Sequence, residues 1–422
     1  MNAGAWRHDP LCAGFVIHRV RESGDFRTLE IDGSVSLEEQ KTCPACVVPL
    51  TTLMTLVGNG GKRRIRVGSC NSCGYVGYMD RPTKAWMVSF YENTWDNAET
   101  RGLADTIRKS RASRNLALKS GRKSVAADVQ RTAAHMADGL GIDKKRPICD
   151  VGCGNGVVLS EFAAMGFTNL CGVENSRFRS ELAHALYGYP VYTGAVEEAA
   201  VRKELIRMAP IGLFFSFHVV EHIYYPEAAF ETFGALQNAG DHIIIATPQF
   251  IEETPGTVVF WMPHLHTFTP VTMRRLFNRA GYEVVKENVE HYDSMVMVGK
   301  KVDRIPEAYA SGGGGNAIAA DRIGDFFFSR DLKKGKRYAF GLRKRKGAPD
   351  HYPFVHVIPR SAALDALLYK VDRVRRMLLA RLLKRFVKQY SFAVSSLEYR
   401  ATRSEESPFE IQFTGNIILF LR

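Results

Sequence analysis

A turn between a predicted strand and a predicted helix carries one acidic residue and three glycines. The apolar strand pattern ends at Asp150, and Gly152, Gly154 and Gly156 follow at alternate positions before helical spacing begins at Val157. Such a turn lets the backbone approach a small ligand because no Cβ stands in the way. Dinucleotide-binding turns have the spacing G-x-G-x-x-G, and Val157 occupies the third glycine of that pattern. The segment predicts a small-ligand site, with a purely structural turn as the alternative.

A second acidic residue follows the next predicted strand. Residues 169–173 are apolar or small, and Glu174 comes directly after them. The offset from the glycine turn is near the roughly 20 residues at which a carboxylate binds ribose hydroxyls in nucleotide-binding folds. Glu174 is therefore predicted to bind a ribose.

These motifs resemble those of the class I S-adenosylmethionine (SAM)-dependent methyltransferases. The resemblance implies that the acidic–glycine motif holds the methionine part of SAM and that Glu174 binds its ribose. In this family an acid after the third strand contacts the adenine amino group; here Ala195 occupies its commonest position and Glu197 follows two residues later. The cofactor-binding residues that the resemblance implies are Asp150, Gly152, Gly154, Gly156, Glu174 and Glu197.

The downstream sequence extends the resemblance. A predicted fourth strand, 211–217, leads into His218-Val-Val-Glu221-His222 and then Pro226. This segment is similar to the Glu-His-hydrophobic-x-x-Pro segment of the subfamily that includes ubiquinone-biosynthesis O-methyltransferases and many sugar-modifying enzymes. The spacing of His218, Glu221 and His222 also matches an inverted zinc-protease motif. That motif requires a helix, whereas these residues directly follow a predicted strand.

A loop after the predicted fifth strand resembles the same subfamily. It contains His264 and His266 and leads into a helix for which Thr269 is the predicted N-cap and Pro270 the first residue. Loops at this edge of an α/β sheet bind ligands.

Histidine suits general-base catalysis near neutral pH, and an alcohol acceptor benefits from a base. Packing without a catalytic role is the alternative for each histidine taken singly. Relatives of the ubiquinone type use a divalent ion near the Glu-His pair, so the resemblance also implies a magnesium requirement. The ordered candidates are His218, His264, His266 and His222, with Glu221 as base, orienting group or metal ligand.

Two C-x-x-C pairs lie near the N-terminus: Cys43 with Cys46, and Cys70 with Cys73. Two such pairs can direct four thiolates at one tetrahedral ion, and because all four positions are then filled the ion is structural. A thioredoxin-like redox pair would need a βαβ setting, which the sequence does not show. The pairs therefore predict a zinc ribbon, with unrelated reduced cysteines as the alternative.

Length, charge and hydropathy indicate where the protein is located and what kind of partner it binds. The chain has 422 residues and a net charge of +13, and residues 301–422 contain 24 Lys and Arg against 12 Asp and Glu, hence +12 of that charge. The sequence shows no run of 18 apolar residues and no secretory signal, which predicts a cytoplasmic protein. An anionic partner is expected to meet the C-terminal part.

The predicted architecture is α/β: a seven-stranded Rossmann-like sheet with a small N-terminal zinc ribbon and a basic C-terminal α+β extension. Residues 361–390 have the pattern of a basic amphipathic helix, which either packs on the protein or contacts the inner face of a membrane peripherally. Residues 409–413 and 416–421 are predicted to form a hairpin. The predicted domains are an N-terminal segment with the ribbon, 1–82; a helical connector that covers the cofactor, 83–145; the methyltransferase domain, 146–302; and the extension, 303–422.

The leading functional hypothesis is methylation of a small molecule, on a hydroxyl of a sugar, nucleotide-sugar or lipid-linked acceptor that is anionic or lipid-attached. An RNA methyltransferase is the first alternative, because the opening Cys43 to Leu50 resembles zinc-ribbon enzymes that methylate ribosomal-RNA guanine. Nucleic acid is the less favoured partner, since the second cysteine pair lacks the histidine of those enzymes. The other alternative is a non-catalytic binding module with the same fold.

Overall fold

The structure is a computed structural model that describes residues 35–57, 64–95, 107, 111–112, 128–248, 262–291, 294–304, 334–344, 355–358, 390–402 and 409–421. Its strands are β1 (Leu37–Glu39), β2 (Thr51–Val57), β3 (Arg64–Ser69), β4 (Val76–Tyr78), β5 (Asp80–Pro82), β6 (Ile148–Val151), β7 (Leu170–Glu174), β8 (Val191–Thr193), β9 (Leu213–Phe217), β10 (His242–Pro248), β11 (His266–Thr267), β12 (Tyr282–His291), β13 (Ser294–Lys301), β14 (Lys334–Lys344), β15 (Val355–Ile358), β16 (Tyr390–Thr402) and β17 (Phe409–Leu421).

The helices flank these strands, and short irregular helices join them. The α-helices are α1 (Lys84–Ser89), α2 (Asp128–His135), α3 (Val157–Ala164), α4 (Arg177–Tyr187), α5 (Ala199–Met208), α6 (Pro226–Ala235) and α7 (Pro270–Arg279). A π-helix spans Phe90–Trp95, and 3-10 helices span Met136–Leu140 and Val220–His222. None of the helices in the described parts of the chain combines the length and apolar character needed to cross a bilayer.

A seven-stranded sheet has the order β12-β13-β10-β9-β6-β7-β8. The strands from β10 to β8 run parallel, whereas β13 is antiparallel to both β10 and β12. Parallel pairing aligns the ends of β6, β7 and β9, because Val151 lies opposite Val173 and Ser216. The predicted Rossmann-like α/β sheet is confirmed, and the segments that follow these three strands meet at one edge.

Both faces of this sheet are buried, which explains the nearly continuous apolar runs in its strands. Successive residues of β9 point to opposite faces. Phe214 packs against Phe233 of α6, with ring centroids 4.8 Å apart, and Phe215 packs against Phe162 of α3 at 5.4 Å. The two hydrophobic clusters fix the positions of the strand ends.

A second sheet, ordered β11-β4-β3-β2-β17-β16-β14-β15, crosses the predicted domain boundaries. Its strand β11 comes from the loop that contains His264, and β17 pairs in parallel with β2 of the cysteine-rich segment. The N-terminal ribbon, the loop and the basic extension therefore contribute strands to one sheet.

The predicted hairpin at the C-terminus is wrong. Residues 409–421 form one strand, β17, which pairs with β16 on both sides of Gly415. The register shifts opposite Glu398 and Tyr399, so Thr414 and Gly415 lie at an irregularity and not at a turn. The basic helix predicted within 361–390 falls outside the described residues, apart from the first residue of β16.

Candidate functional site

The glycine turn after β6 has left-handed backbone at alternate positions. Gly152 and Gly154 have φ of 74° and 53°, a region that side chains with a Cβ rarely adopt. A Cβ on Gly152 would approach Val219 Cγ2 to 2.1 Å. A Cβ on Gly154 would meet nothing nearer than Arg179 Nη1 at 3.9 Å, so the turn faces open space at that position. The turn thus forms a cradle that a small ligand can enter.

Glu174 joins this turn to the next helix. Its Oε2 accepts a hydrogen bond from the Gly154 N–H at 2.8 Å, and its Oε1 accepts one from the Ser176 N–H at 3.0 Å. Ser176 in turn caps α4 through Oγ, which accepts from the Arg179 N–H at 3.2 Å. A carboxylate oxygen can accept a second hydrogen bond, so Glu174 can hold the turn and still bind a ribose hydroxyl.

Asp150 is buried at the end of β6, with 2 % of its surface exposed. Burial, together with the neighbouring charge of Glu174, raises the pKa of its carboxyl to about 8. Two close carboxylates in a buried place favour a cationic ligand. The sulfonium and ammonium groups of SAM provide such charge, and the residues present therefore fit the cofactor that the sequence implies.

Two more buried oxygen atoms lie in this region of the chain without a hydrogen-bond partner among the described residues. One is Oε2 of Glu197, and burial raises the pKa of that carboxyl. The other is Oδ1 of Asn155, within the glycine turn itself. Buried polar atoms without protein partners are expected to bind a ligand or water. Asn155 was missed by the sequence analysis, although its position between two glycines of the motif was available as a signal.

His218 and Glu221 follow β9. His218 has φ of 54°, and its backbone N–H donates to the Ala246 carbonyl at 2.8 Å. Its ring stacks on Phe217 with a centroid distance of 4.5 Å, and its Nδ1 lies 3.9 Å from Glu221 Oε1. The His218 side chain is 32 % exposed whereas that of Glu221 is 1 % exposed. An accessible imidazole thus lies near a buried carboxylate.

His222 and His264 complete a cluster around the same carboxylate. His222 Nε2 lies 3.7 Å from Glu221 Oε1, and the two histidine rings have centroids 4.7 Å apart. The His222 Nδ1 lies 2.8 Å from the Pro263 carbonyl oxygen. Tyr91, from the π-helix, packs its ring edge-on against His222 at 5.9 Å. Tyr91, within the predicted connector 83–145, therefore contacts one histidine of this cluster.

His266 has a different environment from the other predicted histidines. It is 1 % exposed, its Nε2 lies 2.9 Å from the Ile223 carbonyl oxygen, and its Nδ1 lies 2.6 Å from the Tyr75 hydroxyl. Burial, together with the charge of Arg81, lowers the pKa of its imidazole to about 3. Both ring nitrogens are bonded to protein, which argues against His266 as the base.

The four predicted cysteines come together in the ribbon. Ligand atoms of Cys43, Cys46, Cys70 and Cys73 lie within 4.8 Å of one another. Three of the four side chains are buried. Four thiol donors at this separation suit a tetrahedral zinc ion and leave no position for water. The cluster is consistent with the predicted zinc ribbon.

Helix α7 packs on this cysteine cluster. The Arg275 Nη1 donates to Cys46 Sγ at 2.7 Å and to Ser72 Oγ at 2.6 Å. Thr272 Oγ1 donates to Cys73 Sγ at 3.4 Å. Thr269, the predicted N-cap, accepts from the Thr272 N–H at 3.1 Å and is confirmed. The ribbon thereby supports the helix that follows the His264 loop.

The match to known proteins agrees with this geometry. Residues 119–287 match the family model described as a methyltransferase domain. This segment contains the glycine turn, Glu174, and the histidine cluster. The chain therefore has a class I methyltransferase domain and is a SAM-dependent methyltransferase. No curated protein sequence matches the chain significantly.

Several solved structures are similar over about half of the chain. A TehB-like SAM-dependent methyltransferase from Corynebacterium glutamicum is 16 % identical, with 47 % of this chain and 99 % of that chain covered and a TM-score of 0.34. Magnesium protoporphyrin IX methyltransferase from Synechocystis with bound SAM is 13 % identical. The match covers 52 % of this chain and 97 % of that chain, with a TM-score of 0.33. Human N-acetylserotonin methyltransferase is 13 % identical. The match covers 51 % of this chain and 65 % of that chain, with a TM-score of 0.35.

Proposed function

We propose that the protein transfers the methyl group of SAM to a hydroxyl of a small-molecule acceptor, with His218 as the general base. The observation that carries this proposal is the accessible His218 ring 3.9 Å from the buried Glu221 carboxylate. Both residues follow β9, the strand beside β6, which leads into the glycine turn. An acceptor near His218 would therefore approach the cofactor cradle from the neighbouring strand end.

When bound, SAM supplies a methyl group activated by its positive sulfur. His218 accepts the hydroxyl proton as the acceptor oxygen forms its bond to carbon and the carbon–sulfur bond breaks. Glu221 stabilises the imidazolium that results, because a nearby carboxylate favours the charged form of histidine. Asp150 and Glu174 hold the methionine part and the ribose, which aligns the reacting atoms; alignment supplies most of the catalysis in such a displacement.

The acceptor class that we favour is a sugar, nucleotide-sugar or lipid-linked alcohol with negative charge. The support is the charge distribution, since +12 of the net charge of +13 belongs to residues 301–422. Strands of that extension pair with the ribbon sheet, whose other end is β11 in the His264 loop. Positive charge attached to this sheet would attract an anionic acceptor. In the same proposal, zinc in the cysteine cluster has a structural role only.

The test is methyl transfer from labelled SAM to three sets of acceptors: nucleotide-sugars, lipid-linked sugars and ribosomal RNA. We expect transfer to a sugar-containing acceptor, and we expect His218→Asn to lower kcat by about 10²- to 10⁴-fold while SAM affinity is retained. His184→Asn is the matched control, because His184 is an exposed residue of α4 whose Nδ1 bonds the Tyr189 carbonyl oxygen. Transfer to RNA in preference to the other acceptors would contradict the proposal, as would full activity of His218→Asn.

A further inference from the structure

We infer that Arg81, from the N-terminal ribbon segment, is a positioning residue for methyl transfer and acts through Tyr224 on the segment 220–224. The inference rests on the proposed function, because this segment carries the Glu221 carboxylate beside the proposed base. Arg81 belongs to β5 and precedes Tyr224 by 143 residues in the chain. The ribbon thereby contributes to the acceptor side of the site.

Arg81 contacts both the backbone and the ring of Tyr224. Its Nη1 donates to the Tyr224 carbonyl oxygen at 2.9 Å, and its Cζ lies 3.8 Å from the centroid of the Tyr224 ring. A planar guanidinium can stack on an aromatic face while it donates hydrogen bonds within its own plane, and the ammonium group of lysine cannot do both. The contact therefore requires arginine and not only a positive charge.

The remaining bonds of this guanidinium fix it to the ribbon segment. Nε and Nη2 donate to Glu38 Oε1 at 3.2 and 2.9 Å, and Nη1 also donates to Gln40 Oε1 at 3.3 Å. Arg81 is 7 % exposed, and a buried charge is tolerated only when it is paired and hydrogen-bonded. Since the fork is held by Glu38 and Gln40, the position of Tyr224 is set relative to the ribbon.

Tyr224 in turn touches the elements that surround the histidine cluster. It follows the 3-10 helix Val220–His222 after one residue, and its hydroxyl donates to the Pro82 carbonyl oxygen at 3.1 Å. Its ring belongs to a buried hydrophobic cluster with Met87 of α1 and Leu265 of the loop before α7. A displacement of Tyr224 would therefore move the 3-10 helix and change its packing against this loop.

Methyl transfer depends on the alignment that this segment provides. Glu221 Oε1 lies 3.9 Å from His218 Nδ1, and Glu221 is part of the 3-10 helix that Tyr224 follows. Misplacement by about 1 Å can lower a rate by about 10²-fold even when its cause lies away from the reacting atoms. The glycine turn and Glu174 follow β6 and β7 instead, so loss of Arg81 is expected to lower kcat and to leave SAM affinity unchanged.

The test compares Arg81→Met and Arg81→Lys with wild type in the zinc-loaded full chain. We expect both variants to lower kcat by about 10- to 100-fold, with the acceptor that wild type methylates and with unchanged SAM affinity by calorimetry. Arg81→Lys is not expected to restore the rate, because it keeps the charge and loses the fork.

Hydrogen exchange measured by mass spectrometry reports the position of the segment without any acceptor. The His222 N–H donates to the Val219 carbonyl at 2.8 Å, and the Ile223 N–H donates to the Val220 carbonyl at 3.3 Å. In both variants we expect exchange of peptide 219–225 to become faster by about tenfold and exchange of peptide 148–158 to stay unchanged. A wrong acceptor or base in the proposed function would not alter this result.

Arg66→Met is the matched control. Arg66 also belongs to the ribbon, where its Nη2 lies 2.6 Å from Asp80 Oδ1 and 3.1 Å from Glu39 Oε1, and its side chain is 40 % exposed. This substitution removes an arginine–carboxylate fork from the ribbon without removing a contact to Tyr224. We expect kcat and the exchange of peptide 219–225 to match those of wild type.

Thermal melts show which variants are folded; if Arg81→Met unfolds, Arg81→Lys carries the test. Folded variants that keep the wild-type kcat, or the wild-type exchange of peptide 219–225, would overturn the inference. A full rate in Arg81→Lys would overturn the requirement for the fork. An equal loss in Arg66→Met, or a loss of SAM affinity as large as the loss in kcat, would show a general weakening of the protein and would also overturn the positioning role.

Discussion

The hydroxyl of Tyr75 lies 2.6 Å from Nδ1 of His266, and this contact joins the cysteine-rich ribbon to the loop that carries His264. His266 Nε2 faces the Ile223 carbonyl oxygen at 2.9 Å, so Nε2 carries the proton and Nδ1 accepts from Tyr75. With a pKa of about 3, the ring remains neutral throughout the physiological range. His266 therefore has a positioning role between the ribbon and the site.

We predict that Tyr75→Phe will lower the free energy of unfolding by about 1–3 kcal/mol, because it leaves the buried Nδ1 of His266 without its donor. Urea denaturation monitored by circular dichroism measures this change. The control is Tyr225→Phe, since Tyr225 is 43 % exposed and such a substitution is expected to change the free energy by less than about 0.5 kcal/mol. Equal stability of Tyr75→Phe and wild type would show that the hydrogen bond does not connect the two regions.

A second prediction concerns Arg275, which donates to Cys46 Sγ at 2.7 Å. Loss of a hydrogen bond to a metal ligand is expected to weaken metal binding about 10- to 100-fold. We therefore expect Arg275→Met to lower zinc affinity by that factor, as measured by competition with a chromophoric chelator.

The neighbouring Arg274→Met is the control for this substitution. Arg274 pairs with Glu287 at 2.5 Å and not with a cysteine, so its removal is expected to leave zinc affinity unchanged. Equal loss in both variants would indicate a general effect on α7 and would contradict the specific role of Arg275.

The raised pKa of Asp150 predicts how stability depends on pH. The unfolded carboxyl ionises near its ordinary pKa of 3.8, whereas the buried carboxyl keeps its proton up to a pKa of about 8. The folded state therefore binds the extra proton between these values, and the free energy of unfolding falls as pH rises through that window. Between pH 6 and pH 8 we expect a loss of about 2 kcal/mol from this group.

Chemical denaturation of the cofactor-free protein at both pH values measures this loss, and Asp150→Asn is expected to remove most of it. Asp143→Asn provides the control, because Asp143 is exposed in the turn before β6. A pH dependence of Asp150→Asn that equals that of wild type would contradict the assignment.

Local patterns in the sequence were sufficient to predict much of the candidate site. The glycine turn, Glu174 and the Thr269 cap each depend on residues close together in the chain, and the structure has a turn, a strand end and a helix start at those places. The cysteine cluster was also predictable, since two short knuckles determine most of its geometry.

The features that could not be predicted from the sequence depend on pairing between strands that are far apart in the chain. His264 and His266 are two residues apart, yet His266 pairs with Gly77 in β4–β11 and is bonded by Tyr75, while His264 joins the Glu221 cluster. Nothing local to the loop distinguishes the two histidines. Similarly, a hairpin is predicted within residues 409–421, but β17 pairs with β16 along its length and with the distant β2 on its other side, and this pairing keeps the chain extended.

Calorimetric titration of the zinc-loaded protein with SAM and with its demethylated product tests most directly whether the glycine turn and Glu174 bind the cofactor. Glu174 Oε2 accepts from Gly154 at the centre of the cradle, so Glu174→Ala is the decisive variant. Glu181→Ala, an exposed position on α4, is its control. We predict micromolar binding of both ligands by wild type and by Glu181→Ala, and no detectable binding by folded Glu174→Ala. Absence of binding by folded wild-type protein, or unchanged binding by Glu174→Ala, would contradict this prediction.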